Sequence, residues 1–161
     1  MKLEKPQKKH KEMYLLLLKD WKNIEESPWA LFKWNNFDDF LLETKNFAIN
    51  SPTGVNSDLF FLINWEKILW AIDIRHSINS KRLIESWWHI WYWIAPKFRK
   101  KWYATKMLKL ALIEAKKIWL KKVLITCNLD NIGSIKVIEK NWGIFERFTK
   151  DWKMNRFWIE L

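Results

Sequence analysis

Residues 91–134 read WYWIAPKFRKKWYATKMLKLALIEAKKIWLKKVLITCNLDNIGS, and this stretch decides the fold. A short β-patterned run ends at Pro96, a basic loop follows, and residues 104–117 carry apolar side chains at helical spacing. The next run, Lys122–Cys127, is apolar and β-branched enough to be a buried strand. The stretch therefore predicts a strand–loop–helix–strand unit, which is the βαβ form of a parallel strand pair.

The predicted loop of this unit is strongly cationic. Arg99, Lys100 and Lys101 come shortly before the predicted helix. The first backbone N–H groups of a helix have no partner within the helix, and they favour a negatively charged ligand. Together with the cationic side chains, they make this loop suitable for binding phosphate.

Several short motifs surround the loop. Arg99-Lys-Lys-Trp-Tyr-Ala104 follows Ile94-Ala-Pro96, and Asn131-Ile-Gly-Ser134 and Glu139-Lys-Asn-Trp-Gly143 come later in the chain. Together they resemble the GNAT superfamily of acetyl-CoA-dependent N-acetyltransferases. The pattern of that family is Arg/Gln-x-x-Gly-x-Gly/Ala, and only its middle glycine differs here, because Trp102 stands in its place.

Two predicted strands sharpen the resemblance, which runs from about Leu59 to Leu161. Ile74-Arg-His76 and Trp87-Trp-His-Ile-Trp-Tyr92 resemble the predicted small acetyltransferases whose strands read Ile-Arg-His and Gly-Gly-His-Ile-Gly-Tyr, with family glycines appearing as tryptophan. The resemblance implies an α/β (α+β) fold with a central mixed, mostly antiparallel, twisted sheet. We expect about six to seven strands flanked by about four helices, with the sheet splayed between its fourth and fifth strands.

The length predicts one domain over residues 1–161, which the resemblance implies is an acetyltransferase domain, with residues 1–10 as a flexible basic tail. Apolar periodicity predicts an amphipathic helix over residues 11–25, and a second, short helix runs from Asn35 to Glu43. Turn-forming residues predict a loop over 50–57. The remaining predicted elements are strands over 59–65, 68–76, 88–95, 122–127, 143–148 and 154–160, and a last helix from about residue 130 to Asn141.

Acetyl-CoA is the cosubstrate that the resemblance implies. In the family, backbone amides of the loop hold the pyrophosphate, and two positions on the preceding strand pair with the pantetheine arm. A second motif faces the cofactor from the last helix. The implied cofactor-binding residues are Tyr92, Ile94, Arg99, Lys100, Lys101, Trp102, Tyr103, Ala104, Thr105, Asn131 and Ser134.

Acetyl transfer requires a neutral amine and a proton for the departing thiolate. His89 occupies the strand position where many family members carry a glutamate, so it is the first candidate base, although a structural histidine fits equally well. His76 and Glu85 are second candidates for the base or for substrate contact. The family's general-acid tyrosine falls at Ile138, which cannot donate a proton. Tyr92, expected to be structural, or Tyr103 could replace it, or the thiolate could leave without a protein acid.

Tryptophan and glycine occur in unusual numbers, 14 and 3 respectively. An average protein has roughly 7% glycine, so about eleven would be expected here. Several tryptophans stand at predicted turns and helix ends, where glycine is the usual residue. We therefore predict that a UGA codon, read as glycine in the source organism, has been translated as tryptophan.

The strongest candidates for such glycines are Trp65, Trp70, Trp87, Trp88, Trp91, Trp102, Trp119, Trp142 and Trp152. Trp158 is expected to be a genuine tryptophan. Four positions are left undecided, namely Trp21, Trp29, Trp34 and Trp93. The alternative is a protein that is truly rich in tryptophan.

Composition excludes several other classes. Cys127 is the only cysteine and there are three histidines, which excludes disulfide frameworks and His/Cys zinc sites, so no metal is expected. The apolar run 14–18 is too short for a signal peptide or a membrane span, which predicts a cytoplasmic protein without a membrane partner.

The net charge of +11 keeps two rival functions open. A basic nucleic-acid-binding module would use basic residues interleaved with tryptophan, but nucleic acid is not the expected partner. The other rival is an inactive GNAT-like domain that binds CoA or a partner protein. The expected acceptor is a primary amine of a small molecule or a peptide, and a homodimer is left open.

Overall fold

The computed structural model describes residues 1–19, 36–52, 54–78, 88–94 and 98–161. Four α-helices and seven β-strands lie within these residues, and a short 3₁₀ turn covers Lys8–His10. In chain order the elements are β1 (Lys2–Glu4), α1 (Lys11–Lys19), α2 (Phe37–Ile49), β2 (Ser57–Asn64), β3 (Lys67–Arg75), β4 (Ile90–Ile94), α3 (Tyr103–Lys117), β5 (Lys122–Asn128), α4 (Ile132–Glu139), β6 (Ile144–Phe148) and β7 (Met154–Glu160).

The strands form two antiparallel sheets. The first has the order β1-β2-β3-β4 and the second the order β5-β7-β6, so the break falls between β4 and β5. The predicted fold class, strand number and splay are therefore confirmed. Among the described residues every ladder is antiparallel, so the predicted parallel ladder between β4 and β5 does not form.

The predicted flexible tail over residues 1–10 is wrong. Lys2–Glu4 pairs with the edge of β2, where Leu3 lies opposite Leu62. His10 is buried, its Nε2 lies 3.1 Å from the Glu4 carboxylate, and its Nδ1 accepts a hydrogen bond from the Gln7 N–H. The high lysine content of this segment hides a short strand whose backbone bonds hold it in the fold.

The hydrophobic core lies between the sheets and the helices. Helix α3 buries Met107, Leu108, Ala111 and Ala115 completely, at the spacing of one helix face. A second group of buried residues is aromatic, and its rings contact one another across α1, α2 and β2 at centroid distances of 4.9–6.3 Å. Its members are Tyr14, Phe37, Phe40 and Phe61.

Helix α2 begins at a well-made N-cap. The Asn36 side chain accepts a hydrogen bond from the Asp39 N–H at 2.9 Å, and Asp38 and Asp39 place negative charge in the first turn. The helix continues to Ile49, six residues beyond the predicted end at Glu43. No helix in the described part of the chain is both long enough and apolar enough to cross a membrane.

Candidate active site

A cleft of roughly 700 Å³ opens beyond the carboxyl end of β4. Its walls are β4, the basic loop, the first turn of α3 and one face of α4. All eleven residues that the sequence assigned to the cofactor line this cleft, together with Trp93, Phe98, Gly133, Lys136, Val137 and Lys140. Residues far apart in sequence thus meet around one space.

The loop before α3 has an unusual backbone. Lys100 and Trp102 both lie in the left-handed region, with φ values of 60° and 65°. Trp102 is the N-cap of α3, and no side chain caps the helix there. The N–H groups of the first turn therefore keep no partner within the helix and are available to an anion.

Positive charge surrounds this helix end. The Arg99 Nε donates to the Ile94 carbonyl at 3.1 Å, which orders the loop against the end of β4. Lys140, on the opposite wall, places its ammonium 3.9 Å from the centre of the Trp102 ring. The cleft therefore combines helix N–H groups with cationic side chains, which is an arrangement that binds phosphate groups.

The α4 wall is held in place by two asparagines. Asn131 caps α4 by accepting a hydrogen bond from the Ser134 N–H at 3.0 Å. Asn141, which is buried, donates through Nδ2 to the Thr105 carbonyl at 3.2 Å and to the Val137 carbonyl at 2.8 Å. Asn141 thus ties the end of α4 to the start of α3, a contact for which the sequence holds no local signal.

Tyr92 places its hydroxyl inside the cleft wall. The hydroxyl is buried, and it has no hydrogen-bond partner among the described residues. Burial raises the pKa of Tyr92 to about 12, while the nearby Ser134 side chain acts in the opposite direction. The phenol therefore stays protonated at neutral pH and has a proton to donate.

His89 joins the two sheets. Its backbone N–H donates to the Leu124 carbonyl at 2.8 Å, and its Nδ1 accepts a hydrogen bond from the Leu124 N–H at 2.9 Å. Burial, and then the charge of Arg75, lowers the pKa of His89 to about 4. This geometry supports the structural alternative, and a catalytic role for His89 stays a prediction.

Acid should weaken the fold through His89. The pKa of His89 is 6.5 in the unfolded chain and about 4 in the folded protein. Between pH 4 and pH 6.5 the histidine is therefore protonated in the unfolded chain and neutral in the folded protein. Above pH 6.5, His89 should not lower the free energy of unfolding. As the pH is lowered below 6.5, the free energy of unfolding should decrease by up to about 1.4 kcal/mol per pH unit. Urea unfolding at pH 7 and pH 5 measures this dependence.

The matched variant for this experiment is His89→Gln, whose side-chain carbonyl can accept a hydrogen bond but does not titrate. The pKa of His10 is also lowered by burial, and His10 is present in both proteins, so the difference between their pH slopes isolates His89. Equal slopes in the two proteins would contradict the assignment.

His76, the second predicted catalytic residue, is not among the residues that line the cleft. The His76 Nε2 lies 3.3 Å from the carboxylate of Asp58, which also accepts a hydrogen bond from the Lys5 Nζ at 2.7 Å. Glu85 lies outside the residues that the structure describes. Their proposed roles as base or substrate contact remain predictions.

Asp73 is a candidate proton acceptor that the sequence interpretation missed. It lies on β3 directly opposite Trp91 of β4, and burial raises the pKa of its carboxyl to about 6. Ser57 and Arg75 act in the opposite direction. A carboxylate between Ile72 and Ile74, in the otherwise apolar run 68–74, was the signal available.

No group of three or more His, Cys, Asp or Glu side chains within the described ranges could hold a metal ion. Cys127 is a buried free thiol, and burial raises its pKa to about 11. It therefore stays protonated at neutral pH and is a poor nucleophile.

The sequence pattern of the acetyltransferase (GNAT) domain matches residues 3–141. The match starts well before Leu59, where the motif resemblance begins, so it includes the first strand and the first helices. No curated protein sequence matches the chain.

Solved structures share the fold over 99% of this chain. RimL, a ribosomal L7/L12 alpha-N-protein acetyltransferase in complex with coenzyme A, aligns over 93% of its length with a TM-score of 0.69 and 13% identity. The microcin C7 self-immunity acetyltransferase MccE, in complex with acetyl-CoA and AMP, aligns over 91% with a TM-score of 0.67 and 18% identity. A variant of the spermidine N-acetyltransferase SpeG from Vibrio cholerae aligns over 95% with a TM-score of 0.64 and 17% identity.

Proposed function

Because this chain belongs to the GNAT acetyltransferase family, we propose that it transfers the acetyl group of acetyl-CoA to a primary amine of a small molecule or peptide by direct attack. The observation that carries the proposal is the cleft. One cationic loop, one free helix end and one buried phenol line the same space.

The basic loop holds the pyrophosphate of the cofactor in this proposal. The N–H groups at the start of α3 donate to the phosphate oxygens, and Arg99, Lys100 and Lys101 add charge-assisted contacts. The pantetheine arm then lies along β4 past Ile94 and Tyr92, with Asn131 and Ser134 on the facing wall. This order brings the thioester to the part of the cleft that Tyr92 lines.

The reaction needs no group from outside the two substrates and the protein. The amine nitrogen attacks the thioester carbon, a C–N bond forms, and the tetrahedral intermediate collapses as the C–S bond breaks. The electron pair of that bond leaves with sulfur, and one proton of the attacking amine must be removed. Proton balance therefore requires an acceptor near the amine and a donor near the sulfur.

Tyr92 is the donor that the cleft favours. Its hydroxyl is buried without a partner among the described residues and lies near the Ser134 side chain, one helical turn before Ile138 on α4. Tyr92 on β4 therefore lies near the region that the family's tyrosine would reach from α4. This position supports a catalytic role for Tyr92, whose pattern alone suggested a structural one.

We favour Asp73 over His89 as the acceptor of the amine's proton, although neither residue is among those that line the cleft. The Nδ1 of His89 is engaged by Leu124, and a pKa of about 4 makes the imidazole a weak base. The Asp73 carboxylate has a pKa of about 6 and lies on the strand beside β4. A base with a pKa close to the working pH transfers protons most effectively.

Trp102 is the one element of the loop that opposes cofactor binding. Its indole stands on a backbone that must approach the pyrophosphate closely, and it lines the cleft. A glycine at this position would leave the anion site open. The proposed function therefore includes glycine at position 102, as predicted from a UGA codon read as glycine.

Two kinds of amine are candidates for the acceptor, a small polyamine and the amino terminus of a protein. RimL is named for the amino group of a ribosomal protein, and SpeG for spermidine. Three acidic residues of α2, Asp38, Asp39 and Glu43, would suit a cationic amine, although a solvated helix face explains them equally well. We place the enzyme in the cytoplasm, where both acetyl-CoA and such amines are found.

The direct test uses the chain with glycine at positions 65, 102, 119, 142 and 152. We expect this protein to bind acetyl-CoA in calorimetry and to release free CoA thiol when an amine is added. Spermidine and a short peptide with a free amino terminus are the two probes. Thiol release that depends on one of them identifies the acceptor class.

Three other outcomes separate the rival functions. Binding of acetyl-CoA without transfer to any amine would indicate an inactive CoA-binding domain. Oligonucleotide binding that weakens steeply with salt would indicate the nucleic-acid module. A folded five-glycine protein that does not bind acetyl-CoA would refute the proposed enzyme.

A further inference from the structure

Left-handed backbone is concentrated at tryptophan in this chain. Among the described residues, six that are not glycine have φ between 54° and 66°, and Lys100 is the only one of them that is not tryptophan. The other described tryptophans, Trp158 among them, do not share this conformation. The five that do are Trp65, Trp102, Trp119, Trp142 and Trp152.

Two of these tryptophans end helices in the manner that glycine does. At the end of α3, the Leu120 N–H donates to the Ala115 carbonyl at 3.3 Å, and the Trp119 N–H donates to the Lys116 carbonyl at 3.1 Å. This pair of bonds defines a Schellman motif with Trp119 at C′, the position that glycine dominates. Helix α4 ends in the same way, with corresponding bonds of 2.9 Å and 3.0 Å around Trp142.

Two more tryptophans lie in hairpin turns. The loop Trp65–Glu66 joins β2 to β3, and Trp65 has a φ of 54°. Glu66 has no positive φ, and a two-residue loop with positive φ at its first position only is a type II′ turn, in which that residue is usually glycine. In the β6–β7 connection, the Trp152 N–H donates to the Thr149 carbonyl at 2.9 Å, and Trp152 follows this turn with a φ of 57°.

The fifth tryptophan is Trp102, at the N-cap of α3. N-cap residues normally have an extended backbone and a side chain that accepts a hydrogen bond from an N–H of the first turn, whereas Trp102 has a φ of 65° and makes no such bond. All five indoles are largely exposed, at 69% to 91% of their surface. Burial therefore offsets little of the strain that an L side chain suffers in this region.

We propose that these five positions are glycine in the protein that the source cell makes, because its ribosomes read the codon UGA as glycine. The tryptophans in the given sequence then result from translating UGA with a genetic code in which this codon means tryptophan. Five sites in three kinds of structure, namely helix ends, hairpin turns and a helix N-cap, share one wrong residue, which is the signature of a single codon. Independent substitutions would have introduced different side chains.

The geometry does not extend to every predicted site. Trp70, Trp88 and Trp91 lie in or beside strands without a positive φ, and Trp87 lies outside the described residues. Their identity as glycine stays a prediction from the strand motif alone.

The decisive test is the gene and its natural product. We expect UGA at all five codons, and UGG at Trp158, which lies in the middle of β7 with the Lys122 ammonium 4.5 Å from its ring centre. Peptide mass spectrometry of the protein isolated from the source cells should find glycine at the five positions. UGG codons, or tryptophan in the corresponding peptides, would overturn the proposal.

A second test needs only recombinant protein. Replacing the five tryptophans by glycine should raise the melting temperature by about 2–4 °C per site, because the αL strain is relieved. The matched control, Trp158→Gly, should lower it, because it removes ring contacts from an extended strand. A five-glycine protein that melts no higher than the printed chain would contradict the strain argument. Neither test depends on acetyl transfer, so both hold if the proposed function fails.

Discussion

Trp102→Gly should strengthen acetyl-CoA binding to the printed chain by about 10²- to 10⁴-fold. The pyrophosphate is expected to accept hydrogen bonds from the N–H groups at the start of α3, and we expect the indole at the N-cap of that helix to occupy part of this space. Restoring two charge-assisted hydrogen bonds, at about 1.5–3 kcal/mol each, corresponds to this range of affinity. Isothermal calorimetry with both proteins measures the difference directly.

Trp119→Gly is the matched control for this experiment. Trp119 has nearly the same φ as Trp102, 66° against 65°, and it is also exposed, but it lies at the other end of α3 and outside the cleft. Both substitutions relieve the same backbone strain, so only an effect confined to position 102 reports on the anion site. Equal affinities for the two variants would show that the loop does not hold the cofactor.

Tyr92→Phe should lower the turnover of the five-glycine enzyme by about 10²-fold, the contribution typical of a positioned general acid. The hydroxyl makes no hydrogen bond by geometry among the described residues, and the Ser134 side chain is the polar group that acts on it, so its removal should leave the fold intact. Acetyl-CoA affinity should change little, because the ring remains in the cleft wall. The measurements are the turnover number, the dissociation constant and the melting temperature.

A merely structural tyrosine would give a different result. It would lower the melting temperature or the affinity and leave the turnover of the bound complex unchanged. Unchanged turnover in Tyr92→Phe would mean that Tyr103 donates the proton instead, or that the thiolate leaves without a protein acid. That outcome would leave the acetyltransferase function itself intact, since the five-glycine parent is assayed alongside.

The cleft was more predictable than the rest of the molecule. Its residues come from short motifs whose local chemistry is distinctive, such as the basic run Arg99–Lys101 before a helix and the capping Asn131 before Ser134. Such signals depend only on residues that are close together in the sequence, so they can be recognised without the structure. The structure brings all eleven assigned residues to one cleft.

Contacts between distant residues had no comparable signal. The β1 strand depends on pairing with β2 more than fifty residues away, and its lysines suggested a loose tail. The His89–Leu124 junction combines a side-chain acceptor with a backbone donor, which no strand pattern encodes. Asp73 had a visible signal, a charge within an apolar strand, but its raised pKa depends on burial that only the fold creates.

The junction at His89 also bears on how the protein could move. Among the described residues no ladder connects β4 to β5, and two hydrogen bonds between His89 and Leu124 link the strands where they begin to diverge. A small rotation of one sheet against the other could pivot at this pair of residues and leave every strand ladder intact. The width of the gap between β4 and β5 then depends on this hinge and not on the stiffness of a continuous sheet. A molecule bound in the gap would fix the angle between the two sheets.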